Sequence, residues 1–459
     1  MAYRAAYNGL ETISGRATRA VRAQGVARMF PFGKVILTIL MLIPQVLLHP
    51  AFWMVVVLVA LQYSRIARME QRVFGQPMES PASSVLTSLL LGAAAGFVAS
   101  FIFVFVGVTV TGAGVAFLLP VALVLMLIDP RFLCFSYAGG ILALSNLVFG
   151  VPRIGIPETM ILVAVLHLME SLLIWTTGDQ GALPLYMKTR DGSVVGGFLL
   201  QKFWPIPLVG MMLLTPYLSE IQSLTHGLIN MPDWWPLIKP DITVPEGREM
   251  LFAMFALPAA LGYGDFAVAR APKQRSARTA ASLMVFSVVL LALALAASVY
   301  PWMRWLAALF SPLGHEMVIA AGRRAETRSN AIYVADPRGL KVLDVVPHSP
   351  AARVGLRSGD IIISVNGQPI RTAADLLDAM SGSPPWFYIE AERDFTNAAD
   401  HAGHGGGLGD RKTVRFTRSI SGQVERLGII PVPGPGDPAH VSVPVAGVDG
   451  PLARLFRRR

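Results

Sequence analysis

The run Gly314-His315-Glu316-Met317-Val318-Ile319 sets a histidine directly before a glutamate. With a second histidine at position 319, two imidazoles four residues apart could hold zinc on one helix face, and the glutamate could activate water as a base. Position 319 is isoleucine, so the metalloprotease pattern is half complete. A second pair, His167 and Glu170, lies within an otherwise apolar stretch. Its spacing puts both side chains on one face of a helix. Ionisable groups in lipid are costly and mark either a functional site or an internal clamp between helices. A composite metal site of His167 and Glu170 with His315 and Glu316, or a proton or ion path, are the further options. The one cysteine, Cys134, excludes an internal disulfide and a multi-cysteine metal site, and it reads as a small buried residue. We assign no catalytic residue, metal ligand or cofactor from these pieces. Ahead of Gly339 nothing has the composition of a soluble serine protease domain, and no phosphate-cradling loop is visible.

The elements around these residues are those of a membrane. Of 459 residues, 53% are hydrophobic and 15% charged, against about 25% charged in water-soluble domains. Apolar runs at Val85–Val106, Val108–Ile128, Phe132–Phe149, Pro157–Trp175, Pro205–Leu218, Met250–Tyr263 and Ala281–Tyr300 read as spans. Val35–Val46 and Ala51–Tyr63, parted by His49-Pro50, read as a short hairpin or one broken helix, and Trp302–Ala321 as a return crossing. The expectation is a polytopic α-helical bundle of about 8 spans over residues 35–325. Gly92 and Gly96 would let helices approach closely. The net charge of +10 gathers at Arg16 to Lys34, Arg65 to Arg72 and Arg270 to Arg278, beside apolar runs, and at Arg457 to Arg459. That is the pattern of cytoplasmic flanks, and it carries no aromatic-interleaved face for nucleic acid. Residues 1–34 form a basic leader, with 10–30 either a surface-lying amphipathic helix or disordered. At about 178–203 a cytoplasmic β-hairpin is expected, turned at Asp191-Gly192. The stretch Glu220 to Glu249, with Trp234 and Trp235, reads as an external loop at the interface.

From Gly339 the pattern changes to short strands and turns. Ser349-Pro-Ala-Ala-Arg-Val-Gly355, Gly359-Asp360, Ile361 to Val365 and Asn366-Gly367 follow in sequence. This strongly resembles a small, β-rich PDZ domain of the HtrA-like form, over residues 326–422, with a tail at 423–459. The resemblance implies a peptide groove bordered by the helix at Ala373 to Met380, with Leu376 and Met380 on one face, and by Ile332, Tyr333, Val334 and Leu340. PDZ domains take an extended peptide as an added strand. No Tyr-hydrophobic-Gly-hydrophobic segment precedes Gly339, a departure from that pattern. Leu376 and Met380 also fit ordinary core packing. The stretch Asp394 to Asp410, with His401 and His404, reads as a flexible insertion.

Taken together, Leu48-His-Pro-Ala-Phe-Trp53, Thr109-Val-Thr-Gly-Ala-Gly114, Gly196 through Pro207, Ser311-Pro-Leu-Gly-His-Glu316 and Leu427-Gly-Ile-Ile-Pro-Val-Pro433 resemble the MinJ family. Its members are PDZ-bearing, multi-pass membrane proteins of Gram-positive cell division. The resemblance implies an adaptor rather than an enzyme, bridging a DivIVA-like scaffold to a MinD-like ATPase. It also implies a cytoplasmic PDZ domain and enrichment at septa and poles. The alternative is a degenerate or unusual site-2-like intramembrane metalloprotease.

Overall fold

A computed structural model of the chain describes residues 29–442 apart from 75–76, 190, 218–228, 240–244, 247, 381–385, 396–411, 422–426, 435–436 and 438–440. The basic leader up to residue 28, the histidine-bearing insertion, much of the Glu220 to Glu249 stretch and the last basic residues lie outside the described residues. Helices α1 (Phe32–Leu48) and α2 (Pro50–Phe74) flank His49, whose extended backbone breaks the helix before Pro50. They are followed by α3 (Pro81–Val106), α4 (Val115–Met126), a 3-10 turn at Pro130–Leu133, α5 (Phe135–Phe149) and α6 (Ile156–Thr177). Later come α7 (Pro272–Val299) and α8 (Met303–Arg328). Among the described residues four helices are long and apolar enough to cross a membrane: Pro50–Arg72, Pro81–Val106, Ile156–Thr177 and Pro272–Val299. The helix α6 is the centre, buried on almost every face and packed against α3, α5, α7 and α8.

Two of the expected spans are not helices. Residues 205–218 and 250–263 fall largely on the strands β2 (Val194–Leu214) and β3 (Leu251–Ala267). These pair antiparallel without interruption from Phe198↔Ala267 to Leu214↔Leu251, forming one long ribbon. At its start β1 (Leu183–Lys188) adds the expected hairpin, turned at Asp191-Gly192 with Gly192 at φ 88°. The prolines explain why strand wins. In a helix interior Pro205 and Pro207 would each remove a hydrogen bond and clash with the preceding turn. On a strand edge that faces away from its partner they leave no donor unpaired.

Helices close the edge of β2 that faces away from β3. The Tyr63 hydroxyl lies 3.2 Å from both N and O of Phe203 and 2.8 Å from Ser88 Oγ. The Val209 N–H donates to Ser100 Oγ (2.8 Å), and that hydroxyl donates to Gly96 O (2.6 Å). The Met211 carbonyl accepts from Val110 N–H at 2.7 Å. Between these points α3 lies directly on the strand: a Cβ on Gly92 would stand 2.1 Å from Pro205 O, and one on Gly96 2.3 Å from Pro207 O. The small residues of α3 thus admit a strand backbone rather than another helix. Side-chain hydroxyls supply the partners that lipid lacks.

The C-terminal module is a second sheet, ordered β8-β7-β5-β4-β9. It comprises β4 (Leu340–Val345), α9 (Pro350–Arg353), β5 (Ile361–Val365), β6 (Gln368–Pro369), α10 (Ala373–Met380), β7 (Trp386–Phe395), β8 (Lys412–Ser421) and β9 (Ile429–Pro431). Its turns use Gly355, Gly359 and Gly367 at φ near 90° and Asn366 at φ 50°, where glycine and asparagine carry least strain. Strand β9 pairs with the outer edge of β4, and β10 (Val441–Ser442) joins β1 of the ribbon.

Candidate functional site

Leu340, Leu376 and Met380 meet in the core of the C-terminal module, with Val342, Ile362 and Ile389. Leu376 and Met380 point into that core, while Leu377 of the same helix is exposed. Ile332 and Val334 are exposed at the module's entrance. Tyr333 between them is turned the other way. It is 4% exposed and belongs to the core of the membrane domain, its ring edge-on to Phe198 at 5.2 Å. The structure therefore divides the six expected groove residues among three places: the module core, its surface, and its seat on the ribbon.

The seat is built from main chain. The Ile332 N–H donates to Val268 O (3.1 Å), and Gly196 N–H to Tyr333 O (2.8 Å). The Lys341 ammonium donates to Ile332 O at 2.8 Å. A Cβ on Gly196 would meet Leu343 at 2.8 Å and Tyr333 at 2.9 Å, so only glycine lets the surfaces close. The Tyr186 hydroxyl donates to Pro431 O at 3.1 Å. The module is thus joined to the hairpin end of the ribbon.

Charge locks the same end. The Glu326 carboxylate, near the end of α8, is 1% exposed. It accepts from the N–H groups of Val268 (2.9 Å) and Ala269 (2.8 Å) and pairs with Arg270 at 2.5 Å. The last turn of α8 therefore stands beside the first residues of α7, so α8 returns to the end from which α7 departs. Arg275 binds Asp265 at 2.8 Å, and Thr279 donates to the other oxygen of that carboxylate. Within the module, Arg338 binds Asp336 and Asp394 and holds the Asp336 carboxyl below its ordinary range. Burial pushes Asp344 up to about 6 and lowers the ammonium of Lys341.

The remaining expected residues converge inside the helices. His167 of α6 and His315 of α8, 4% and 9% exposed, stand with ring centroids 5.0 Å apart. Their acidic neighbours go elsewhere. Glu316 accepts from the Tyr137 hydroxyl (2.6 Å) and from Arg131 (3.0 Å). Glu170 makes no hydrogen bond or ion pair among the described residues. Cys134, read from sequence as a plain buried residue, lies against both histidines. Arg131, Tyr137 and Glu326 were equally invisible, because no spacing in the chain announces contacts between residues so far apart.

Residues 341–385 match the family model described as PDZ domain. Over 403 residues the chain is 22% identical to the cell division topological determinant MinJ of Bacillus subtilis, covering 83% of this chain and 92% of that protein. It is 48% identical over 48 residues to a probable periplasmic serine endoprotease DegP-like of Brucella suis, 10% of this chain and 9% of the relative. It is 36% identical over 56 residues to the periplasmic serine endoprotease DegP of Salmonella typhimurium, 12% of each. Similarity to the proteases is confined to the PDZ domain, whereas similarity to the division determinant runs through both the helices and the module. The chain is a MinJ-like protein with a PDZ domain and helices fit for a membrane.

Proposed function

We propose that this protein is a membrane-anchored adaptor of the division site. In this reading its PDZ domain recruits regulators of septum placement, in the manner of a bridge from a DivIVA-like scaffold to a MinD-like ATPase. The observation that carries the proposal is the module's seat. A protein-binding domain is fixed by main-chain hydrogen bonds to a ribbon that runs on among membrane helices. Such a module moves with its anchor and presents one fixed face. Similarity to a division determinant along nearly its whole length supports the biological setting.

In this reading the groove runs between the exposed Ile332 and Val334 and the helix α10, with Leu340, Leu376 and Met380 beneath it. In this reading the protein is an adaptor rather than a site-2-like protease: Ile319 stands where a second zinc-binding histidine would be, and Arg131 and Tyr137 occupy the glutamate that would serve as base. The module lies on the cytoplasmic side. Arg270 and Arg275 stand at the end of the helices where it is seated, and basic flanks stay inside. A fluorescent fusion of the full chain tests the proposal. It should gather at septa and poles, and deletion should disturb division placement. An even membrane distribution in dividing cells, with normal division after deletion, would contradict it.

A further inference from the structure

Cys134 Sγ lies 3.0 Å from His167 Nε2 and 3.7 Å from His315 Nε2, and one donor atom from each residue falls within 4.8 Å of the others. The three come from three separate elements: the turn before α5, the middle of α6 and the middle of α8. A tetrahedral zinc with bonds of about 2.3 Å to sulfur and about 2.0 Å to nitrogen keeps its donors roughly 3.3–3.6 Å apart, and the two sulfur–nitrogen distances bracket that range.

Two further features point to a ligand. The other nitrogen of His167, Nδ1, lies 2.7 Å from Val163 O. As donor there it leaves Nε2 bare and aimed at the sulfur, and metal-binding histidines are held in this way. His315 has no such partner among the described residues: its Nδ1 is buried without a hydrogen bond there, and its Nε2 faces the sulfur at 3.7 Å. A buried imidazole left so poorly satisfied calls for an ion or water. The rings of Phe286 and Tyr137 stand edge-on to the pair and hold its orientation. Cys134 itself is only partly buried.

We propose that Cys134, His167 and His315 bind one thiophilic transition-metal ion of the zinc class. Thiolate and imidazole together favour such an ion over magnesium or calcium. On binding, the thiol gives its proton to solvent while both imidazoles ligate as neutral rings. Three protein donors leave the fourth position of such an ion to water. The ion would tie α6 and α8 to the turn between α4 and α5, stapling the helix that leads into the PDZ domain. This proposal stands independently of the adaptor reading.

The test uses the full chain purified in detergent, stripped of metal and loaded with Co(II). The expected result is one ion retained per chain, with a thiolate-to-cobalt charge-transfer absorption. That band should vanish in Cys134→Ser and in His315→Gln but persist in Glu316→Gln, whose carboxylate lies outside the donor set. Failure of the folded wild-type chain to retain cobalt would overturn the proposal, and that result needs no variant to fold. Cobalt retained without a thiolate band, or a band unchanged in Cys134→Ser, would overturn it equally.

Discussion

Two sheets meet where Gly196 bonds to Tyr333, and they are closed in different ways. The PDZ sheet is closed by its own chain: β9 covers the edge of β4, and α10 lies over a compact core of Leu340, Val342, Leu376 and Met380. The ribbon is closed by its surroundings. Its β2 edge is satisfied by Tyr63, Ser100 and Val110, and its surface is met by glycines of α3. The first sheet carries its stability with it, whereas the second exists only where helices deliver hydroxyls and small residues at fixed points. A damaged PDZ core should therefore leave the membrane domain intact, while damage to the ribbon or the joint should spread.

The joint should be the most sensitive point. Glu326→Ala leaves two N–H groups and Arg270 without their buried partner, and losses of about 4 kcal/mol are expected for such a change. Thermal unfolding in detergent should show both domains destabilised, with the PDZ released to proteolysis at lower temperature. Next is Gly92→Ala, which drives a methyl group into Pro205 O. Overpacking against backbone should cost about 3 kcal/mol, read as reduced accumulation in the membrane. By contrast Leu376→Ala should remove about 2–3 kcal/mol from the PDZ alone, and hydrogen exchange of α3 and α6 should stay unchanged. If exchange rises there as well, the two sheets are not independent.

These sensitivities parallel what the sequence made readable. The PDZ turns are written in residues: Gly355, Gly359 and Asn366-Gly367 sit where positive φ is needed, and the strands between them alternate over a one-sided core. Strand β2 is covered on both faces from Trp204 to Met211. Alternation disappears there, and a run such as Pro205–Leu218 reads equally well as a spanning helix. The usable sign was Pro205-Ile-Pro207, two prolines two apart, which a helix interior does not tolerate. The convergence of Cys134, His167 and His315 had no local sign. It depends on how α5, α6 and α8 pack, and nothing in the spacing of those residues encodes it.

A smaller effect separates the sheets by pH. Burial raises Asp344 to about 6 in the folded PDZ domain, above its ordinary 3.8. The folded state then binds the proton more tightly than the unfolded state between these values. Stability should fall as pH rises from about 4 to about 6 and level off above that. Asp344→Asn should flatten this dependence in PDZ unfolding followed by hydrogen exchange, while exchange of the helices shows no such trend.

If the proposed topology holds, the ribbon hairpin and the PDZ domain share the cytoplasmic face, opposite the turn between α7 and α8. Single cysteines at Ser193, Asp378 and Pro301, all exposed positions, can be probed with a membrane-impermeant maleimide on wall-stripped cells in a Cys134→Ser background. Pro301→Cys should label on intact cells, and Ser193→Cys and Asp378→Cys only after permeabilisation. Labelling of Asp378→Cys from outside, or of Ser193→Cys and Asp378→Cys from opposite sides, would overturn this topology.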